Sequence, residues 1–477
     1  MRKKGSVTVF LTLILSLLLS LICASIESVR MASARTQILN GMDIGLYSLF
    51  GQYDKELLAD YDLFALDGSR GGGQLDLAAV CDELEAYMNP VLKQNSQKLT
   101  LCQSGLTGYR LLTDQKGEAF YQQIVGYMQE TLGSQGIQLL LGRMSERQEK
   151  TAQADQSANQ AQSKGSIDRY DSEMNQASEK SQQAAEEAQV VLQAPPAKNP
   201  ITIMKRIMKR GVLELVLPGG NGLSTKEIEK GTLVSGRGLQ QGMEMPDGMT
   251  VENSYTSEVL FQQYLMEHLG SYAEPSSAGL AYQVEYIFGG KNSDEDNLKA
   301  VASKLLFIRE GVNFACLMAD NVKRSEAQAL ATAIASGFLV PPAAVIIEAA
   351  LILCWAFAES VLDVRELFAG GRIPLVKSSG DWQISLENLP DLMEGLDSMR
   401  RNDEKGMSYK DYLQVLVLTV SKEKKVMRAM DMIENTIREK GRKNFCMDSC
   451  IVALEAFADV KANKKKDFQV IRQYCYE

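Results

Sequence analysis

The chain has 477 residues, 45% hydrophobic and 23% charged, a globular balance that can bury a core in about two or three domains. Its formal net charge is −9, with acidic and basic residues mixed along the chain. A nucleic-acid partner needs a concentrated basic face, and outside the N terminus only Lys464, Lys465 and Lys466 cluster, in what reads as a turn between strands; nucleic acid is excluded.

Eight cysteines are scattered without a CxxC pair, which excludes a zinc ribbon and a disulfide scaffold. Cys316 and Cys354 sit in apolar helical runs and read as small core residues. Cys446 and Cys450 leave two readings open: buried thiols, or pairing with each other or with Cys475 in an oxidising compartment.

At the N terminus Arg2, Lys3 and Lys4 precede an uncharged run over residues 7–26, VTVFLTLILSLLLSLICASI. At about 1.5 Å per residue this run reaches roughly 30 Å, the thickness of a bilayer's hydrocarbon core. A cleaved signal peptide wants a small-x-small site close behind, and Ala32, Ser33 and Ala34 lie well past the run. A lipoprotein wants a small residue before its cysteine, and Ile22 precedes Cys23. Residues 27–50 contain no proline and carry an apolar face through Met31, Ile38, Met42 and Leu46. The expectation is one helix, a transmembrane half (7–26) continued by a stem (27–50), whose stripe packs on partner helices or on its own domain. The basic leader (1–6) stays inside, so the protein is a single-pass cell-membrane protein with a cytoplasmic N terminus and an extracytoplasmic bulk.

A basic leader, Gly5 and an unbroken apolar helix resemble the N terminus of type IV pilins and TadE/TadG-like pseudopilins. The resemblance implies a prepilin-type cut between Gly5 and Ser6. Phe10 stands at the fifth position after that cut, where those families carry an acidic residue. This departure favours a tether over a filament subunit.

Beyond the stem, residues 60–67 (DYDLFALD) alternate and read as a strand, and Gly71, Gly72 and Gly73 as a loop. A helix is expected over 75–87, a second strand pairing with the first over 98–113, and a helix over 118–132. Residues 143–193 are rich in Gln, Ala, Ser and Glu and show no apolar stripe. They read as a solvated helical hairpin, a weak coiled coil or a disordered tether, interrupted at Gly165 and ended by Pro195, Pro196 and Pro200. The polar spacer (143–200) thus separates a first outer part (51–142) from the main outer domain (201–477).

In that domain a basic helix over 201–210 is followed by LELVLP as a strand, loops through 218–248, a helix over 259–269 and a strand over 280–288. Ser293 and Asp296 form a capping box, and Leu298, Val301, Ala302, Leu305, Ile308 and Val312 then make one helical face. A further helix covers 325–336. Residues 337–358 are apolar, but Pro341 and Pro342 shorten the run and Glu348 would cost at least about 2.5 kcal/mol in lipid, so this is a buried core helix. A hairpin is expected over 375–386, a box at Ser408 and Asp411 ahead of a helix over 412–420, a helix over 423–440, and a terminal β-hairpin from 450–461 and 468–476. The fold class is α+β, helix-dominated, with short antiparallel strands.

His268 is the only histidine, which removes most His-dependent triads and multi-His metal sites. There is no GxSxG and no Walker loop, and the run from Gly236 to Gly242 has the wrong spacing and context for a dinucleotide. Ser293, Asp294, Glu295, Asp296 and Asn297 bring oxygens together, but lack calcium-loop spacing, and capping explains them. Glu359 and Asp363 are a possible acid–base pair, with ion pairing to Arg365 or Arg372 the simpler reading; Glu366 stands beside them, and Trp355 and Trp382 read as packing residues. No catalytic, cofactor-binding or metal-ligating residue is assigned.

SDEDNLKAVASKLLFIREGVNF, WAFAESVLDVRELFAGGRIPLVKSSGDW and MSYKDYLQVLVL resemble an uncharacterised family of single-pass Gram-positive (clostridial) membrane proteins linked to Tad-like pilus loci. That resemblance implies an envelope location, contact with lipid and with pilus- or secretion-locus membrane proteins, and a scaffolding role without catalysis. Two alternatives stand beside it: a cell-wall hydrolase working through Glu359 or Asp363, and a receptor with an apolar pocket.

Overall fold

The computed structural model describes residues 4–94, 99–164, 170–172, 175–176, 179, 200–217, 222–243, 245, 254–337, 343–392, 406–462 and 466–476. In chain order the elements begin with α1 (Lys4–Phe50), α2 (Lys55–Tyr61), β1 (Leu66–Asp67), α3 (Leu77–Lys93), β2 (Leu99–Leu111) and α4 (Asp114–Lys164). Next come α5 (Pro200–Met208), α6 (Val212–Val216), α7 (Tyr255–His268), α8 (Gln283–Gly289), α9 (Asp294–Ala319), α10 (Asn321–Gly337) and α11 (Ala344–Phe368). The remainder is β3 (Arg372–Ile373), β4 (Met407–Ser408), α12 (Tyr409–Leu418), α13 (Lys422–Glu439), β5 (Cys450–Ala462) and β6 (Lys466–Cys475). This is a helix-dominated α+β chain with antiparallel strands, a C-terminal β5–β6 hairpin and a long apolar N-terminal helix. It divides into two compact units, one of residues 1–127, 231–252 and 433–477, the other of residues 128–230 and 253–432.

The first unit is a sheet carrying helices. β5 is central; β2 pairs along one side, and β6 and β1 pair along it as well, all antiparallel. Along β5 the period of two sends Leu454, Ala456, Ala458, Val460 and Ala462 into the core. Four of α1's residues, Ala34, Ile38, Met42 and Leu46, recur every fourth position and bury against that face together with Val80, Leu84, Met88 and Leu92 of α3. Gly45 makes the helix crossing close, since a Cβ there would stand 2.6 Å from Met88 Cγ. The stem stripe therefore packs on its own unit, although Met31 is only half-buried. By contrast, residues such as Leu13, Leu17 and Leu21 in the first half of α1 are about 60% exposed or more (62%, 69% and 60%). The span from Val7 is long and apolar enough to cross a membrane, by length and composition, and the structure places Gly5 and Ser6 inside α1.

The second unit is built around α11. Its apolar window is 83% buried, with α9 and α10 packed along it, and Glu348 accepts from Arg324 Nε at 3.2 Å. The helix starts at Ala344, so the expected core helix is what forms; Pro341 and Pro342 lie outside the described residues.

Several expectations need correction. Residues 60–67 give only the two-residue β1, because Asp54 caps α2 through Glu56 N and Leu57 N and the helix consumes Tyr61. β1 and β2 do not pair with each other; each pairs with β5. LELV and the 280–288 run are α6 and α8, not strands. α8 is buried nearly all round, which erases the periodicity that separates strand from helix, and Gly290 at φ 61° closes it as a left-handed cap; α6 is little more than one turn, with exposed Glu214 between buried Leu213 and Leu215, so it reads as alternation. Residues 375–386 form no hairpin: Ser378 and Asp381 make a capping box on a 3-10 turn, and β3 pairs with β4 instead. At Ser293 only half a box forms, Ser293 Oγ accepting from Asp296 N, while Ser408 and Asp411 make both halves.

The polar spacer is also different where it is described. Residues 143–164 continue α4, with Met144, Thr151, Ala154 and Ala158 buried. Small side chains make this stripe, so it carries little hydropathy yet permits close contact. A Cβ on Gly311 of α9 would stand 2.2 Å from Ala158 Cα. Gly311→Ala is expected to push α4 from α9 at a cost of about 1–3 kcal/mol, read as lowered thermal stability with unchanged helix content. Gly165, Pro195 and Pro196 lie outside the described residues, and Lys466 opens β6 instead of lying in a turn.

Candidate functional site

The two carboxylates singled out in the sequence meet cations, but not the expected ones. Glu359 and Asp363 stand one turn apart on α11, each at most 1% exposed. Lys377 Nζ bridges them, at 2.6 Å from Glu359 Oε1 and 2.5 Å from Asp363 Oδ1. From α9, Arg309 Nε and Nη2 donate to Asp363 Oδ2 at 3.0 and 2.9 Å. Arg309 Nη1 donates to Pro374 O, Leu375 O and the Tyr412 hydroxyl. Asn313 Nδ2 reaches both Asp363 Oδ2 and Ser360 Oγ. Glu359 takes the backbone N–H groups of Gln383 and Ile384, which is why the segment after Lys377 has no partner strand. Arg365 instead donates to the carbonyls of Leu215 and Leu217, and Arg372 stands 3.9 Å from Asp411.

Burial alone would raise the Asp363 carboxyl, but Arg309 and Lys377 hold it below its usual range. The network therefore has two carboxylates against two cations, all buried and hydrogen-bonded. Such a cluster locks α9, α11 and the chain after β3 together, with both carboxylates buried and engaged by its cations. Trp355 Nε1 donates to Ile384 O at 2.8 Å, and Trp382 packs edge-on to it at 6.0 Å, so both tryptophans line this lock.

The remaining candidates are accounted for by local structure. His268 Nδ1 lies 3.1 Å from Tyr264 O, its ring stacked on Tyr264 at the end of α7. Asp294 accepts from Ala281 N, Tyr282 N and Ser224 Oγ, and Asn297 Oδ1 from Lys291 N, so these oxygens serve the fold. Between Gly236 and Gly242, Arg237 pairs with Glu434 and Asp448, and Gly242 N donates to Asp114 Oδ1. No disulfide joins any of the eight cysteines. Cys450 is buried, which drives its thiol well up, and Arg438 Nη2 donates to Cys446 Sγ at 3.3 Å. Among the described residues no cluster of three metal-ligating side chains occurs.

Two features escaped sequence reasoning. One is Glu285 on α8, wholly buried, whose Oε1 accepts from Tyr409 Oη (2.6 Å) and Tyr272 N (2.8 Å) while Oε2 has no partner. Burial pushes its carboxyl up from 4.5 to about 7, against the lowering effect of those bonds. The other is a groove of about 790 Å³ in the first unit. A continuous run of rings lines it: Tyr47, Tyr474, Phe50, Tyr476, Phe64 and Tyr53, with neighbouring centroids 4.8–6.4 Å apart. Tyr476 Oη donates to Phe50 O at 2.6 Å and fixes the run, and among the described residues the groove's lining carries no charged side chain. The alternating Tyr474-Cys475-Tyr476 tail was its one signal in the sequence.

These features define a helix-dominated α+β protein with one N-terminal helix fit to cross a membrane and an aromatic groove near the end of that helix. The chain belongs to DUF5702, a family of unknown function, whose profile matches residues 191–462. No curated protein and no solved structure matches it.

Proposed function

We propose that this protein is a membrane-tethered structural or scaffolding component of a pilus-like or secretion apparatus, with its two units outside the membrane and no catalytic role. One observation carries the reading. α1 is a single 47-residue helix whose first half is apolar and exposed and whose second half is clamped into the first unit's sheet. A span welded to a folded unit in this way transmits position, which suits a scaffold. The basic leader supports the orientation, and the buried Glu359–Asp363 pair argues against a hydrolase working through them.

The test is affinity purification of the intact chain from cells in mild detergent, with mass spectrometry of the membrane proteins that accompany it and of its own N terminus. Enrichment of pilus- or secretion-locus membrane proteins is expected, with a chain beginning at Met1. A start at Ser6 would instead mark pilin-type processing, and a start at Arg35 a released protein.

A further inference from the structure

The sheet of the first unit has one long edge strand in β6. Among the described residues β6 pairs with β5 alone, through ten residue pairs without a register shift. The opposite edge is managed: β2 shifts register three times against β5, and Tyr109 bridges to Met243. Tyr476 N donates to Val452 O at 3.0 Å, so the period of two turns the backbone groups of Tyr474, Arg472 and Val470 toward β5 as well. Asp467, Gln469, Ile471 and Gln473 then turn their N–H and C=O groups outward. β6 carries neither a proline nor a bulge that would blunt this edge.

The aromatic groove adjoins that edge. α1 lies over β6 while α3 lies over β2, so Tyr47 and Phe50 at the end of α1 face the last residues of β6 across the groove. Tyr47, in the groove, is 69% exposed, and Ile471, on the other face of β6, is 50% exposed, so apolar surface flanks this edge on both faces.

We propose that the β6 edge and this groove together bind an extended segment of a partner protein, added as a further strand, with aromatic or aliphatic uncharged side chains entering the groove. Main-chain bonds to β6 give such a segment affinity, and the groove selects its alternate side chains. A sugar would stack on the rings but leave the edge facing water. A proline-rich helix has no N–H groups to give the β6 carbonyls. The inference takes from the scaffolding reading only that a partner exists; its chemistry comes from the edge and the groove. Failure of the purification above would not touch the measurement below, so the two stand or fall separately.

The measurement uses the full chain in nanodiscs and a strand-length synthetic peptide alternating Phe and Thr, followed by fluorescence anisotropy and amide hydrogen exchange. Binding should slow exchange in β6 and leave β5 unchanged. N-methylating alternate peptide amides should weaken binding about tenfold or more. Ile471→Pro, which removes an outward N–H and spares the bonds to β5, should do the same, as should Tyr47→Ala. The proposal is overturned if Phe/Thr, Tyr/Ser and Leu/Thr peptides all fail to bind at millimolar concentration, or if N-methylation and Ile471→Pro leave binding intact. It is equally overturned if a polyproline peptide or a neutral oligosaccharide binds without slowing β6, or if Ile471→Pro abolishes self-association instead, assigning the edge to a second copy.

Discussion

Arg309→Met is expected to destabilise the second unit by about 3–5 kcal/mol, because it leaves a buried carboxylate short of its main partner. The residue is 0% exposed and serves Asp363, Asn313, two backbone carbonyls and Tyr412 at once. Removing it leaves Asp363 with Lys377 and Asn313, and takes the Arg309 donor from the part-buried Pro374 carbonyl and the buried Leu375 carbonyl. The chain's two tryptophans both lie beside the network, so their fluorescence during denaturant unfolding reports this unit directly. Combining Arg309→Met with Asp363→Leu should cost less than the two single losses added, because the pair acts as a unit. A loss under about 1 kcal/mol for Arg309→Met would mean that the cluster is not a lock.

The second large effect is a pH dependence with an unusual sign. Glu285 binds its proton more tightly folded, at about 7, than unfolded, at 4.5. The folded state therefore holds more protons across that window, and stability falls as pH rises through it, by about 3 kcal/mol in all at roughly 1.4 kcal/mol per unit. Glu310, half-buried on α9 and also pushed up to about 7 by burial, adds to the same slope. Asp363 has the opposite sign: its depressed carboxyl supports the fold above its ordinary value of 3.8 and loses that support as pH falls below it. The second unit should thus be most stable in mildly acidic solution. Glu285→Gln should raise stability at pH 8 and flatten the descent; an unchanged slope in tryptophan-monitored unfolding between pH 5 and 8 would refute the assignment.

Much of the fold was legible because its signals are local. The α9 stripe from Leu298 to Val312, the Ser408–Asp411 box and the alternation of β5 each follow from a period or a cap within a few residues. Where burial is nearly complete, as in α8, the period vanished, and where a helix is little more than one turn, as in α6, it passed for alternation, so both read as strands. The spacer misled for the reverse reason: Ala154, Ala158 and Thr151 pack closely without looking apolar. The lock around Asp363 draws on residues 309, 363, 377 and 412, which no local pattern links. Arg309 was still visible as a charge on the Leu305–Val312 face, and a charge in such a place needs a buried partner. The groove joins residues 47–64 to 473–476, and only the fold brings them together.

A tether with its folded units outside the membrane is tested most directly by the cysteines. Cys23 lies in the apolar half of α1, while Cys102 on β2 and Cys475 at the end of β6 are exposed in the first unit. Intact cells treated with a membrane-impermeant maleimide should label Cys102 and Cys475 and leave Cys23 unmodified within the bilayer. Labelling of Cys102 and Cys475 only after lysis, or labelling of Cys23 in intact cells, would contradict it.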